Sequence, residues 1–270
     1  MKYFGVHYSI FGVRYYMEYS KFTIDTSANL FKPIIPMKTL LKFCLVPAVI
    51  CLAGFTMIRK NISPKGDWVS LFDGKTLKGW HSYGKTGPIA SWDVEDGALV
   101  CLGTAKDASG GDIVTDKKYA NFELKWEWKV DKGSNSGVMY HVQEGPKWHA
   151  PYETGPEYQI IDDVTFPEKL EEWQQTGADY GMHTANDQKT LKPVGQWNTS
   201  RIVFNKGHVE HWLNGKKIVE FQAWSDDWNK KRLAAKWKDY PDYGKAKTGE
   251  IALQDHGDKC YYKNIMIKEL

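Results

Sequence analysis

GSNSGVMYHVQEGPKWHAPYETGPEYQIIDD, Gly133–Asp163, consists of two apolar-alternating runs joined by a loop rich in Gly, Pro and aromatic residues. Side chains two apart on a strand share a face. In the first run this sends Val138, Tyr140 and Val142 one way and Met139 and His141 the other. In the second run Tyr158 and Ile160 oppose Glu157 and Gln159. Two neighbouring strands would then present His141, Glu157 and Gln159 on one polar face; the first run also carries Asn135 and Ser136. The stretch reads as a β-hairpin-like pair of strands that carries a candidate site.

The flanking sequence continues the pattern. Upstream, in Phe122–Val130, Phe122, Leu124, Trp126 and Trp128 alternate with Glu123, Lys125, Glu127 and Lys129, the signature of a half-buried antiparallel strand. SWDVEDGALVCLG reads as a hairpin about Asp96–Gly97, and two more strands turn about Lys206–Gly207 and Asn214–Gly215. A short helix is expected in the loop near Glu168–Trp173, and ADYGMHTA is expected to form a short strand carrying His183. Ser225–Tyr240 is the one convincing helix, with Ser225 or Asp226 as its cap and Trp228, Leu233 and Trp237 near helical spacing. GEIALQDHG and CYYKNIMIKEL close the chain as strands. Many short strands, frequent Gly turns and no βαβ alternation indicate an all-β antiparallel jelly-roll sandwich of two sheets, with one short helix near 225–240. Its first and last strands are expected to share a sheet.

Before Trp68 the chain changes character. Lys38 and Lys42 precede an almost wholly apolar run, Phe43–Ile58, which resembles the n- and h-regions of a secretory signal beginning at Met37. The run is short for a spanning helix, which needs about 20 apolar residues. The expected organisation is an upstream extension over 1–36, a signal peptide or membrane anchor over 37–60, a linker over 61–67 and a domain over 68–270. The expected location is therefore exported, whether periplasmic, secreted or membrane-anchored. The net charge of +3 is set by this leader: residues 1–60 hold eight Lys/Arg against two Asp/Glu, leaving 28 against 31, or −3, for the remainder. No basic cluster interleaved with aromatics points to nucleic acid. Cys101 and Cys260 fall in expected strands far apart in sequence. They read either as a disulfide in an oxidising compartment or as two buried thiols. No zinc-binding spacing is present.

The chemistry-bearing residues form three groups: His141 with Glu157 and Gln159; His183; and Gln254-Asp255-His256, where strand parity sets Gln254 and His256 on one side. A carboxylate among imidazoles can act as a general base or hold a divalent metal. Any one of these histidines alone reads as a hydrogen-bonded structural residue. No GxSxG, HExxH or Gly-rich phosphate loop is present.

LFDGKTLKGW (71–80), NSGVMYH (135–141), EYQIIDD (157–163), GQWN (195–198), HWLNG (211–215) and GEIALQDHG (249–257), in this order, resemble the 3-keto-disaccharide hydrolase domain family. Its members are also described as 3-keto-glycoside 1,2-lyases and 2-hydroxyglycal hydratases. The resemblance covers roughly Trp68–Leu270 and implies a concanavalin A-like jelly roll acting on a small-molecule carbohydrate oxidised at C3. The family pattern often has Arg where this chain has His141. On this resemblance, Glu157 is expected as base or metal ligand and His256 as a second proton-transfer group or ligand. His141 and Gln159 are expected to contact substrate or metal, with Asn135, His183, Gln254 and Trp148 as further substrate contacts. The tentative ligand set for a divalent metal is Glu157, His141 and His256. Two other readings stand beside this one: a non-catalytic carbohydrate-binding jelly roll, and a two-carboxylate glycosidase.

Overall fold

Alternation of apolar and polar residues converts directly into layers. In the computed structural model, which describes residues 66–103, 111–234 and 236–270, Phe122–Val130 buries every second side chain. The strands are β1 (Trp68–Ser70), β2 (Trp80–Ser82), β3 (Trp92–Glu95), β4 (Ala98–Leu102), β5 (Ile113–Thr115), β6 (Phe122–Val130) and β7 (Asn135–Val142). They continue with β8 (Glu157–Ile161), β9 (Asn198–Asn205), β10 (His208–Leu213) and β11 (Lys216–Gln222). The helix α1 (Asp226–Ala234) follows, then β12 (Glu250–Leu253) and β13 (Lys259–Glu269).

The larger sheet has the order β11-β10-β9-β6-β13-β4-β3, with β1 also paired to β13. The first and last strands thus share a sheet, as expected. The smaller sheet runs β2-β5-β12-β7-β8, and every pairing is antiparallel. The main core lies between the sheets and includes Phe122, Trp126, Tyr140, Tyr158, Ile202 and Tyr262. The fold is an all-β jelly-roll sandwich with one α-helix among the described residues. At the tight hairpins Asp96, Lys206 and Asn214 have φ of 50°, 52° and 46°, each followed by a glycine at positive φ. This left-handed pair matches the twist of the flanking strands.

Three local expectations differ from the structure. The helix expected over 225–240 is α1 followed by a separate 3-10 turn, Lys236–Asp239. Ser225 caps it, its Oγ accepting the Trp228 N–H at 3.2 Å. Leu233 is 56% exposed, so its place in the buried stripe goes to the Arg232 stem. The loop helix is a 3-10 turn at Glu172–Gln174. The strand expected around His183 is reduced to bridges joining Tyr158 to Asp179 and Asp179 to His183.

The described residues all belong to one compact unit. The expected extension over 1–36, the targeting segment over 37–60 and most of the linker lie outside the described residues. Among the described residues no helix is long and apolar enough to cross a membrane.

Candidate functional site

The site is built on the outer face of the smaller sheet. Its register aligns His81, Val114, Ala252, Met139 and Glu157 across five strands, so these side chains leave the sheet on the same side. The neighbouring row contains Gly137 paired with Gln159, with the Gln254 N–H donating to the Gly137 carbonyl at 3.0 Å. Gly137 is the small residue in this row, and the Glu157 carboxylate fills the space its missing side chain leaves. Two apolar clusters cover the face. One contains Tyr83, Val114, Met139, Val142 and Ala252; the other contains Met182, Trp228, Trp237 and Tyr243. Tyr152 packs against both.

Glu157 is 4% exposed, and no hydrogen bond to a described residue satisfies its carboxylate. Its oxygens are also not among the polar atoms sealed from solvent. Burial raises its pKa to about 7; the Lys236 ammonium acts against that rise and the Asp179 carboxylate adds to it. Lys236 sits on the 3-10 turn after α1, at an exposed position, with its Nζ 5.2 Å from the Tyr152 ring centroid, 4.8 Å from Tyr180 and 4.6 Å from Trp237. Desolvation lowers the Lys236 pKa, and Glu157 opposes the shift. A carboxylate poised near neutrality thus feels the charge of a cation held among aromatic rings.

A second carboxyl on this face behaves differently. Asp112 is 1% exposed; its Oδ1 accepts the Asp255 N–H at 2.8 Å and its Oδ2 is sealed without a partner. Burial holds it well above the usual carboxylate range, the Asp255 N–H works against this, and the Asp255 and Glu157 charges add to it. Asp112 therefore lies beneath the site rather than opening into it.

The structure brings Glu157, Gln159 and Gln254 together and leaves other expected members elsewhere. His141 does not share their face. It has φ of 55°, and at this point the register between β7 and β12 slips by one residue. Such a bulge inserts an extra residue and reverses the alternation beyond it. His141 therefore turns inward against Phe122 and Phe204, its ring 4.3 Å from that of Phe204, while Val142 joins the outer cluster. Its Nε2 lies 2.8 Å from the Ala120 carbonyl, and burial pushes its pKa down to about 4. His256 stands on an exposed turn after the buried Gln254 and Asp255, and no contact joins it to Glu157 among the described residues. The expected ligands Glu157, His141 and His256 therefore do not make one coordination sphere. Among the described residues, the group whose ligand atoms do cluster within 4.8 Å is His208, Glu210 and Glu220, on the larger sheet.

His183 is placed beside the site through Asp179. Its Nδ1 is 2.9 Å from Asp179 Oδ2 and its ring stacks on Phe221 at 4.3 Å. Asn135 donates its backbone N–H to Asp258 at 3.0 Å and leaves Oδ1 buried without a partner. Trp148 is half-buried, its Nε1–H donating to Asp242 at 3.0 Å beneath the Lys147 ammonium. Two clefts lie elsewhere: one of about 520 Å³ near Val164 and Val194, the other of about 340 Å³ beside Trp212 and Arg201. Neither is lined by Glu157; the larger includes Asp162 and Asp163, whose carboxylates accept the backbone N–H groups of Val164, Thr165 and Thr176.

Sequence reasoning missed Lys236, Asp112, Asp179, Tyr152 and Tyr180. Lys236 carried no signal within a segment read as a charged helix. Asp179 and His183, four apart, were the one pair that spacing alone could have joined.

Residues 67–268 match the model of the 3-keto-alpha-glucoside-1,2-lyase-like domain. A 3-keto-disaccharide hydrolase of Bacteroides thetaiotaomicron is 36% identical over 228 residues, which is 75% of this chain and 78% of that protein. A crystal structure from Parabacteroides distasonis, described as a glycosyl hydrolase, is 47% identical with a TM-score of 0.71, covering 75% of this chain and 94% of that one. A second from the same organism, described alike, is 27% identical with a TM-score of 0.56, covering 76% and 100%.

Proposed function

This chain belongs to the 3-keto-alpha-glucoside-1,2-lyase-like family, and from that premise we propose that it cleaves 3-keto-glycosides or 3-keto-disaccharides on the outer face of its smaller sheet. The observation that carries the reading is Glu157: buried over Gly137, without a hydrogen bond to any described residue, raised by burial to about 7 and under the influence of the Lys236 ammonium. A general base works best when its pKa lies near the operating pH.

A ketone at C3 acidifies the proton on C2. Glu157 takes that proton, and the electron pair moves toward the C3 oxygen to give an enolate. Lys236 supplies positive charge to the developing oxyanion from among the rings of Tyr152, Tyr180 and Trp237. The enolate then re-forms the ketone, the C1–C2 double bond forms, and the C1–oxygen bond breaks. The proton held by Glu157 passes to the leaving oxygen. Addition of water, with hydroxyl to C1 and a proton to C2, completes net hydrolysis. Gln159 and Gln254, buried on the same face beside Gly137, orient the sugar through their amides.

A two-carboxylate glycosidase needs a second carboxyl open to the scissile bond. Asp112 has one oxygen committed to Asp255 and the other sealed, which favours the keto-dependent route. A binding module would be served by a shallow aromatic groove, whereas this face buries a carboxylate that no described residue hydrogen-bonds, at an energetic cost. The apolar run over 43–58 supports export as part of this proposal.

The test pairs glycosides that differ only in the 3-keto group and compares the wild type with Glu157→Gln. Turnover of the keto substrate alone, abolished in the variant with the fold retained, is the expected result. Near-normal activity of the variant overturns the assignment.

A further inference from the structure

Cys101 and Cys260 take no part in the site, yet the fold sets them face to face. They are direct partners across the antiparallel pair β4–β13. Facing residues leave a sheet on the same side. Here that is the inner side, where Cys101 is 0% and Cys260 1% exposed. Opposed residues of antiparallel strands have Cα atoms about 4.5 or 5.5 Å apart, according to pair type. A disulfide spans Cα separations of about 4.4–6.8 Å. The backbone therefore already stands at bridging distance, with no change of register. Both thiols are free in this structure, and Cys260 Sγ lies 3.7 Å from the Asn135 carbonyl.

We propose that Cys101 and Cys260 form a disulfide that ties β4 to β13 when the chain folds in an oxidising compartment. The co-reactant is itself a disulfide, either of a thiol oxidoreductase or of a small molecule such as oxidised glutathione. One cysteine attacks it as the thiolate, forming a mixed disulfide and expelling one thiolate. The other cysteine then attacks its partner's sulfur, closing the Cys101–Cys260 bond and expelling the second thiolate. The two protons lost by the protein go to the two expelled thiolates. The protein loses two electrons and the oxidant becomes two thiols.

Burial pushes both thiols above the usual cysteine range, so little thiolate exists once the sandwich has closed. The exchange belongs to folding, before β4 and β13 shut the core. The finished bond is then shielded from reductants by the same burial. Because it closes a long loop, it restricts the unfolded chain strongly.

The test refolds the full-length chain in a glutathione redox buffer and, separately, under excess reductant. Free thiols are alkylated under denaturing conditions and the peptides mapped by mass spectrometry. A Cys101–Cys260 cross-linked peptide in the oxidised sample alone is expected, with Tm higher by roughly 5 °C or more than in the reduced sample. The double variant C101S/C260S should keep the native circular dichroism spectrum and lose the redox dependence of Tm. Full alkylation of Cys101 and Cys260 after oxidative refolding overturns the proposal. So do cross-links confined to Cys44 and Cys51, or a cross-linked form that melts no higher than the reduced one.

Discussion

Glu157 occupies the space that a side chain on Gly137 would need: a Cβ placed there would overlap Oε1 and crowd Cδ and Cγ. The two residues sit on adjacent strands of the smaller sheet, and φ at Gly137 is not in the left-handed region, so the backbone itself would accept alanine. Gly137→Ala is therefore a displacement of the carboxylate rather than a backbone lesion. Small misplacements of a reacting group cost about 10²-fold. The variant is expected to lose about that much in kcat/KM on a 3-keto-glycoside while unfolding cooperatively like the wild type. Steady-state kinetics beside thermal denaturation checks it, and unchanged kcat/KM would show that this contact does not set the base.

The pH profile reports the same group from another side. Burial raises Glu157 to about 7, so its active carboxylate form is lost as pH falls through that value. The kcat/KM curve should therefore drop on its acid limb near pH 7. Lys236 lowers this pKa, so Lys236→Met should move the limb to higher pH and also cut kcat by about 10²–10³-fold through loss of the oxyanion partner. An acid limb that stays in place in the variant would show that the two charges do not act on one another.

The chain announced much of this and concealed a definite part. The β6 strand followed from period-two patterning, because it has one buried face; the positive-φ hairpins followed from their Asp-Gly, Lys-Gly and Asn-Gly turns. In β7 and β8 the alternation sorted the residues between two faces that are both buried. Glu157, Gln159 and Gln254 were placed by the same parity. His141 was misplaced because parity assumes an unbroken ladder, and a single left-handed residue reversed it. Nothing in NSGVMYHV marks that bulge, since histidine is only an occasional occupant of positive φ. Lys236 was invisible for a different reason. Its role depends on the tertiary approach of a 3-10 turn to Tyr152 and Tyr180, from segments that are distant in the chain.

His141 has a consequence for stability instead. In the unfolded chain it titrates near 6.5, and in the core near 4. Between those values the unfolded state binds a proton that the folded state does not, so stability falls as pH falls through this window. The contribution lost is on the order of 3 kcal/mol. His211, also pushed down to about 4 by burial, acts in the same direction. Glu157 acts oppositely, because its raised pKa contributes stability that is lost as pH rises from 4.5 to 7. His141→Asn keeps a residue tolerant of positive φ and removes the titration. Urea unfolding at pH 7 and pH 4.5 should show a smaller acid loss in the variant. An identical loss in both proteins would assign the acid sensitivity elsewhere.

The placement of Lys236 rests on its neighbour. Trp237 is fully buried, stacks on Tyr243 with ring centroids 3.8 Å apart, and donates its Nε1–H to the Tyr180 carbonyl at 3.0 Å. The Tyr180 N–H in turn donates to the Glu157 carbonyl at 3.0 Å. The turn that carries the cation is thus fastened to the strand that carries the carboxylate through one residue. Trp237→Phe preserves the stack and deletes the indole donor, taking that partner from the half-buried Tyr180 carbonyl. Such a loss costs about 1–3 kcal/mol of stability. Because the bond fixes the distance between the two charges rather than the sugar's general contacts, kcat should fall more than KM rises. Denaturant unfolding together with separate kcat and KM values checks both expectations. A variant that is destabilised by this amount but turns over normally would show that the Lys236 ammonium finds its position without the anchor.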